Sequence, residues 1–199
     1  MNREKIVSEN ENFIGCWKIE NSKLFDQIIN FFEQNPQIQN KGYVSDRIDE
    51  QIKKTTDITI DPIDLKKKEY GIFNSYFEEL FKCYEDYKKQ WPFIEKTIEI
   101  LDIPNFNVQR YNPGDHFSHI HCERGNSKNM HRVFAWMTYL NDIKSENGTT
   151  NFTHYNIKIQ PEQGKTLIWP AEWTHAHAGE ILKVETKYII TGWMCFPLD

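Results

Sequence analysis

The sequence predicts an α+β fold: a double-stranded β-helix (jelly-roll) core with N-terminal helices packed on one sheet. Helical periodicity dominates as far as residue 97, and short β-rich segments separated by turn residues fill residues 98–199. No internal repeat or low-complexity linker divides the 199 residues, and a chain of this length suits one domain with a sizeable core. We therefore expect a single domain over residues 1–199, with residues 1–97 as mainly helical support and residues 98–199 as the β core.

Two segments of the first half carry apolar residues at helical spacing. Ser22 is a candidate N-cap before an apolar face over residues 24–32, and a longer aromatic stripe covers residues 72–84. Recurrence every three or four residues marks one face of a helix. We expect a helix that starts near Ser22 and a second from about Glu69 to about Lys89, and we interpret the aromatic stripe as core packing.

Short strands with turn signals between them make up the second half. Asn112-Pro113-Gly114 and Asn147-Gly148 are such signals, because glycine, proline and asparagine supply the dihedral angles of tight turns. The predicted strands cover residues 98–103, 106–111, 132–140, 150–153, 157–160, 166–169 and 187–194. Many short strands in this pattern favour a jelly-roll or barrel.

Composition argues against several classes of partner. The net charge is −5 and no long basic stripe is present, which disfavours nucleic acid. The longest apolar runs, such as residues 133–137, are too short to span a bilayer, and the polar start of the chain lacks the apolar stretch of a signal peptide. The four cysteines are scattered, as expected for reduced thiols. We expect a cytoplasmic protein without a membrane partner.

The histidines point to a metal site. All seven lie between His116 and His177. His121 and Glu123 are two residues apart, so on a strand they would project from the same face. An imidazole and a carboxylate side by side are two corners of the 2-His-1-carboxylate site that binds non-haem iron(II) and leaves coordination positions open.

A third corner and a cation follow downstream. His175 and His177 come just after the strand-like residues 166–169, and either could complete the triad. Lys187 lies ten residues beyond His177 on a further predicted strand. It could pair with the distal carboxylate of a dicarboxylic acid chelated at the metal.

Two other interpretations stay open at this point. A His119-x-His121 pair with a third histidine would resemble a cupin metal site without a dicarboxylic acid. A metal-free jelly-roll interaction protein would use none of these histidines, and the fold alone does not decide between them.

Taken in order, these motifs resemble the Fe(II)/2-oxoglutarate dioxygenases of the prolyl 4-hydroxylase-like group. The resemblance covers about residues 105–196 closely and the N-terminal helices more loosely. It implies His121, Glu123 and His177 as the metal ligands, with His177 preferred over His175 because Lys187 then lies at the family distance. For 2-oxoglutarate it implies Tyr111, Tyr139, Lys187, Thr191 and Trp193. This chain departs from the family by having Glu123 where aspartate is usual.

The resemblance also implies an activity. The chain would use Fe(II), 2-oxoglutarate and O2, with ascorbate as an optional reductant, to hydroxylate an aliphatic carbon and release succinate and CO2. The substrate would be a peptide or protein, through a prolyl residue, or a small molecule. The alternative remains a cupin-type metal-binding protein or enzyme that does not use 2-oxoglutarate.

Overall fold

The computed structural model describes residues 1–8, 11–44 and 47–198 of the chain. Its helices are α1 (Ser22–Gln34), α2 (Gly71–Gln90) and α3 (Phe93–Thr97). Its strands are β1 (Asn2–Glu4), β2 (Gly15–Lys18), β3 (Asn40–Lys41), β4 (Lys53–Lys54), β5 (Thr56–Ile60), β6 (Phe106–Tyr111), β7 (His116–His121), β8 (Arg132–Tyr139), β9 (Thr150–Phe152), β10 (Ile157–Ile159), β11 (Lys165–Pro170), β12 (His177–Gly179) and β13 (Lys187–Cys195).

The strands form two antiparallel sheets. The major sheet has the order β1-β2-β11-β8-β13-β6-β5-β3, and the minor sheet has the order β10-β9-β12-β7-β4. Two facing antiparallel sheets of this kind confirm the predicted double-stranded β-helix core. None of the helices in the described ranges is long and apolar enough to cross a membrane.

The helices pack on the outer face of the major sheet, as predicted. Tyr76 of α2 lies 5.7 Å from the ring of Trp136, and Phe77 lies 4.9 Å from Phe106. Alternation along β13 sends Ile190 into this layer and Ile189 into the layer between the sheets, because successive strand residues point to opposite faces. The inner layer contains the cavity described below.

The structure departs from the sequence expectations in the N-terminal half and at one strand. Asn21, not Ser22, caps α1, since its side chain accepts the Leu24 N–H at 3.3 Å. Residues 98–103 form no strand: only Asp102 bridges to Cys195, and Ile100 is 65% exposed. Conversely, β2 and β5 add strands from the N-terminal half to the major sheet.

Candidate metal centre and adjoining cavity

Strand pairing brings the two candidate histidine ligands together. His121 ends β7 and His177 begins β12, and their Cα atoms are direct partners in the antiparallel ladder. Residues opposite each other in such a pair lie close enough for their side chains to touch. The ring centroids are 4.4 Å apart, and Phe117 stacks on the His121 ring at 3.8 Å.

Backbone carbonyls orient both imidazoles. His121 Nδ1 lies 2.8 Å from the His119 carbonyl oxygen, and His177 Nδ1 lies 2.9 Å from that of His175. When Nδ1 donates its proton to a carbonyl, Nε2 keeps a free lone pair, and this arrangement typically fixes a metal-binding histidine. Both Nε2 atoms face the same carboxylate.

Glu123 completes the cluster from beyond the end of β7. Its Oε1 lies 3.3 Å from His177 Nε2 and 3.7 Å from His121 Nε2. The ligand atoms of the three residues lie within 4.8 Å of one another, which makes this the one metal-compatible group of His, Cys, Asp and Glu in the described ranges. The donor set of two imidazoles and one carboxylate fits non-haem iron(II).

Glu123 and His121 are held in the protonation states that a metal needs. Burial alone would raise the pKa of Glu123, but the contact with His177 and the neighbouring His121 imidazole lower it to about 2. Burial and the nearby His177 lower the pKa of His121 to about 4, although Glu123 opposes this. At neutral pH the carboxylate is therefore ionised and the imidazole is neutral, which is the state that binds a metal.

The two rival histidines lie elsewhere. His175 is buried, its Nε2 donates to the Asn12 carbonyl oxygen at 2.8 Å, and its Nδ1 lies 3.0 Å from Thr174 Oγ1, so both ring nitrogens are engaged. His119 is exposed and does not belong to the cluster. The geometry thus favours the His121, Glu123 and His177 set over a cupin-type His119-x-His121 pair.

A cavity of about 700 Å³ between the sheets connects the metal cluster to Lys187. The Lys187 side chain is 3% exposed, its Nζ donates to the Gly148 carbonyl oxygen at 2.7 Å and lies 4.6 Å from the Tyr111 ring centroid. Within the described part of the chain it forms no ion pair. Burial lowers its pKa to about 8, against the opposing effect of Glu180. A buried ammonium without a counter-ion is costly, so an anion bound in the cavity next to Lys187 would stabilise it.

Gly148 is required at this point of the cavity wall. Its φ of +76° belongs to the left-handed region, and a Cβ there would lie 2.7 Å from a methyl group of Leu182. Glycine alone reaches that conformation without strain. The turn therefore presents its carbonyl oxygen to Lys187.

The other residues implied for 2-oxoglutarate divide into two groups. Tyr111, Thr191 and Trp193 line the cavity. Tyr139 is fully buried and is not among the lining residues; its hydroxyl donates to Thr150 Oγ1 at 2.6 Å, and it is Thr150 that borders the cavity.

Sequence reasoning missed a buried polar network in the cavity wall. Lys53 Nζ lies 2.6 Å from Asp57 Oδ2, Gln109 donates to the same oxygen at 3.0 Å, and Gln109 accepts from the Tyr111 hydroxyl at 3.0 Å. Lys53 is on the minor sheet and Asp57 is on the major sheet, so the ion pair joins the two sheets. The spacing of two between Gln109 and Tyr111 on the predicted strand 106–111 indicates that their side chains share a face. Because strand β5 was not predicted, Asp57 could not be identified from the sequence as their partner.

Comparison with known proteins identifies the domain. Residues 106–195 match the 2OG-Fe(II) oxygenase superfamily. No curated protein sequence matches the chain. Among solved structures, a Pseudomonas putida prolyl-4-hydroxylase has a TM-score of 0.73 at 14% identity, covering 93% of this chain and 94% of its own.

Two further structures have the same fold. A Trichoplax adhaerens prolyl hydroxylase in complex with a hypoxia inducible factor peptide fragment has a TM-score of 0.71 at 15% identity, with 94% of this chain and 84% of that one covered. A viral collagen prolyl hydroxylase from Paramecium bursaria Chlorella virus-1, in a 2OG complex, has a TM-score of 0.63 at 16% identity, with 92% and 96% covered. Residues 106–195 therefore belong to the 2OG-Fe(II) oxygenase superfamily, whose enzymes use Fe(II), 2-oxoglutarate and O2, and the chain around them has the fold of the prolyl 4-hydroxylases.

Proposed function

We propose that this 2-oxoglutarate-dependent dioxygenase hydroxylates a prolyl residue of a peptide or protein. Fe(II) is held by His121, Glu123 and His177, and the distal carboxylate of 2-oxoglutarate is held by Lys187. When bound, the metal and cosubstrate supply the oxidising power: O2 and 2-oxoglutarate are consumed, succinate and CO2 leave, and one oxygen atom enters a C–H bond. Ascorbate is compatible with this chemistry as an auxiliary reductant.

The observation that carries the proposal is the combination of two features in one cavity. A His–Glu–His cluster faces it on the minor-sheet side. The ammonium of Lys187, which has no ion-pair partner among the described residues, faces it from the major sheet. A dicarboxylic acid that chelates the metal at one end needs a cation for the other end. A cupin-type site without 2-oxoglutarate gives no reason to bury Lys187 without a counter-ion.

Five other residues of the cavity wall support this binding mode. The Tyr111 ring lies under the ammonium and leaves it free to bind a carboxylate. Thr150 and Thr191 offer hydroxyl groups to polar atoms in the cavity. Phe117 and Trp169 cover the two imidazoles and exclude water from them, which strengthens electrostatic interactions inside the site.

The cavity mouth supports a peptide substrate. Its lining includes the uncharged amides of Asn40, Asn105 and Asn107, and a side-chain amide can both donate to and accept from a peptide backbone. Lys41, also at the mouth, is paired with Glu50 at 3.0 Å. The structural neighbours named above act on prolyl residues, one of them bound to a peptide fragment.

The test is turnover by the iron-loaded protein. Proline-containing peptides and, separately, free amino acids are incubated with 2-oxoglutarate and O2, and both succinate and a product heavier by one oxygen atom are measured. His177→Ala is the control for adventitious oxidation by free iron. Turnover confined to free amino acids or other small acids would overturn the prolyl-peptide substrate and leave the oxygenase assignment intact.

We also propose a cytoplasmic location. Its support is that all four cysteines, Cys16, Cys83, Cys122 and Cys195, are unpaired, as is usual in a reducing compartment. Fractionation of the source cells tests it.

A further inference from the structure

Glu123 differs from the two histidines in how its backbone is held. His121 and His177 lie on paired strands, whereas Glu123 lies in a bend two residues after β7 ends. Its N–H donates to the Ala171 carbonyl oxygen at 3.2 Å, and its carbonyl oxygen accepts from Arg132 Nη1 at 3.1 Å. These two hydrogen bonds hold the Glu123 backbone in place of the hydrogen-bond ladder of a strand. The position of its carboxylate therefore depends on contacts made by the side chain itself.

That support comes from Trp193. The indole N–H of Trp193 donates to Glu123 Oε2 at 2.7 Å. The other oxygen, Oε1, then faces His121 and His177 at 3.7 and 3.3 Å. A hydrogen bond to an ionised acceptor is short and strong, so the indole selects which carboxylate oxygen is presented to the metal.

Arg132 holds the indole in turn. Its guanidinium stacks over the Trp193 ring at 3.5 Å, and its Nη1 lies 3.7 Å from Glu123 Oε2. A guanidinium over an indole face is an attractive, planar contact. Arg132 on β8 and Trp193 on β13 therefore clamp the carboxylate from the major sheet.

We propose that Trp193 is a positioning residue for the metal site: its indole N–H fixes the longer Glu123 side chain so that one oxygen binds the metal. Glutamate has one more rotatable bond than aspartate, and the hydrogen bond removes the freedom that this bond adds. Trp193 thus acts through Glu123 and not through contact with 2-oxoglutarate. The inference rests on the proposed function, because the metal site is part of it.

The test measures affinity for Co(II) alone, by visible absorption, without 2-oxoglutarate or turnover. Trp193→Phe removes the N–H, and loss of such a supporting hydrogen bond should weaken metal binding about 10-fold or more. The matched control is Trp136→Phe: Trp136 is also a tryptophan of the major sheet, and its buried N–H has no hydrogen-bond partner among the described residues, but its ring packs against the helices and not in the cavity. That control should bind Co(II) within about threefold of the unmodified chain, since it removes no hydrogen bond to a ligand.

A double-mutant cycle separates positioning from packing. Aspartate at 123 is one methylene shorter, so we expect its carboxylate not to reach the indole. Trp193→Phe in the Glu123→Asp background should then change the Co(II) affinity by about twofold or less. An equal loss in both backgrounds would mean that the ring only packs, and would overturn the proposal. So would unchanged affinity in Trp193→Phe alone.

Two further outcomes are distinguishable. If circular dichroism shows that Trp193→Phe does not fold, benzothienylalanine at position 193 replaces it, because this ring has the same shape and lacks the N–H; unchanged Co(II) affinity there again overturns the inference. A chain with Glu123 and Trp193 intact that bound no metal would overturn both the proposed function and the inference. Intact metal binding without turnover would overturn the proposed function only.

Discussion

Replacing Lys187 with methionine removes its charge and leaves an unbranched side chain that is one atom shorter. Burial lowers the lysine pKa from its usual 10.5 to about 8, which corresponds to about 3 kcal/mol of lost hydration that a bound carboxylate would recover. Removing one member of a desolvated charge pair costs roughly 2–5 kcal/mol. We therefore expect the dissociation constant of 2-oxoglutarate to rise about 100-fold or more, since each 1.4 kcal/mol is a factor of ten.

The assay is an anaerobic titration of the Fe(II)-loaded protein with 2-oxoglutarate, read by the visible charge-transfer band of the chelate. Lys183→Met is the matched control, because Lys183 is exposed and lies four residues upstream. Its 2-oxoglutarate affinity should equal that of the unmodified chain. If Lys187→Met bound 2-oxoglutarate as tightly as this control, the distal-carboxylate role would be refuted and the cupin-type alternative would regain support.

Four further predictions follow from the same geometry. Glu123→Ala should lose Fe(II), measured by metal analysis, while His119→Ala should keep it; the reverse pattern would support a His119-x-His121 site. His177→Ala should also lose Fe(II), whereas His175→Ala should retain it and lower the free energy of unfolding by about 1–3 kcal/mol through its lost hydrogen bonds; equal metal loss in both would contradict this. The affinity for 2-oxoglutarate should be constant below about pH 7 and fall as the pH rises above the pKa of the buried Lys187, about 8. The reason is that binding then requires the neutral lysine to take up a proton. A pH-independent affinity up to about pH 10 would contradict the role of Lys187. Gly148→Ala should lower the free energy of unfolding in a denaturant titration by more than about 1 kcal/mol, because its φ is +76° and a Cβ there is strained; unchanged stability would contradict this.

The regular parts of the β core were predictable from local pattern. The predicted strand 106–111 matches β6, and the strands predicted at 132–140 and 187–194 end within one residue of β8 and β13. These strands are long enough for alternation to be visible. Two- to five-residue strands such as β4 and β5 were missed because their stability comes from partners far along the chain, and residues 98–103 were assigned a strand although no neighbour pairs with most of them.

The choice between His175 and His177 required the tertiary structure. A spacing of two predicts a shared face only on a continuous strand. The 3₁₀ turn Trp173–His175 ends before β12 begins, so the two rings diverge. The His175 Nε2 finds its partner in the carbonyl of Asn12, 163 residues away, and no local pattern contains that contact.

The sequence by itself determined which chemical groups are available: an H-x-E pair, a later histidine and a later lysine in the order of a known oxygenase family. The tertiary structure alone decided which of them meet and in what state. Antiparallel pairing of β7 with β12 sets His121 opposite His177. Trp193, 70 residues from Glu123, donates to one oxygen of the Glu123 carboxylate, and the other oxygen lies near both imidazoles. Lys187 is buried, and no carboxylate in the described ranges forms an ion pair with it. The physical reason is that residue type and spacing are local, whereas desolvation, ion pairing and ligand geometry depend on neighbours brought together only when the two sheets close.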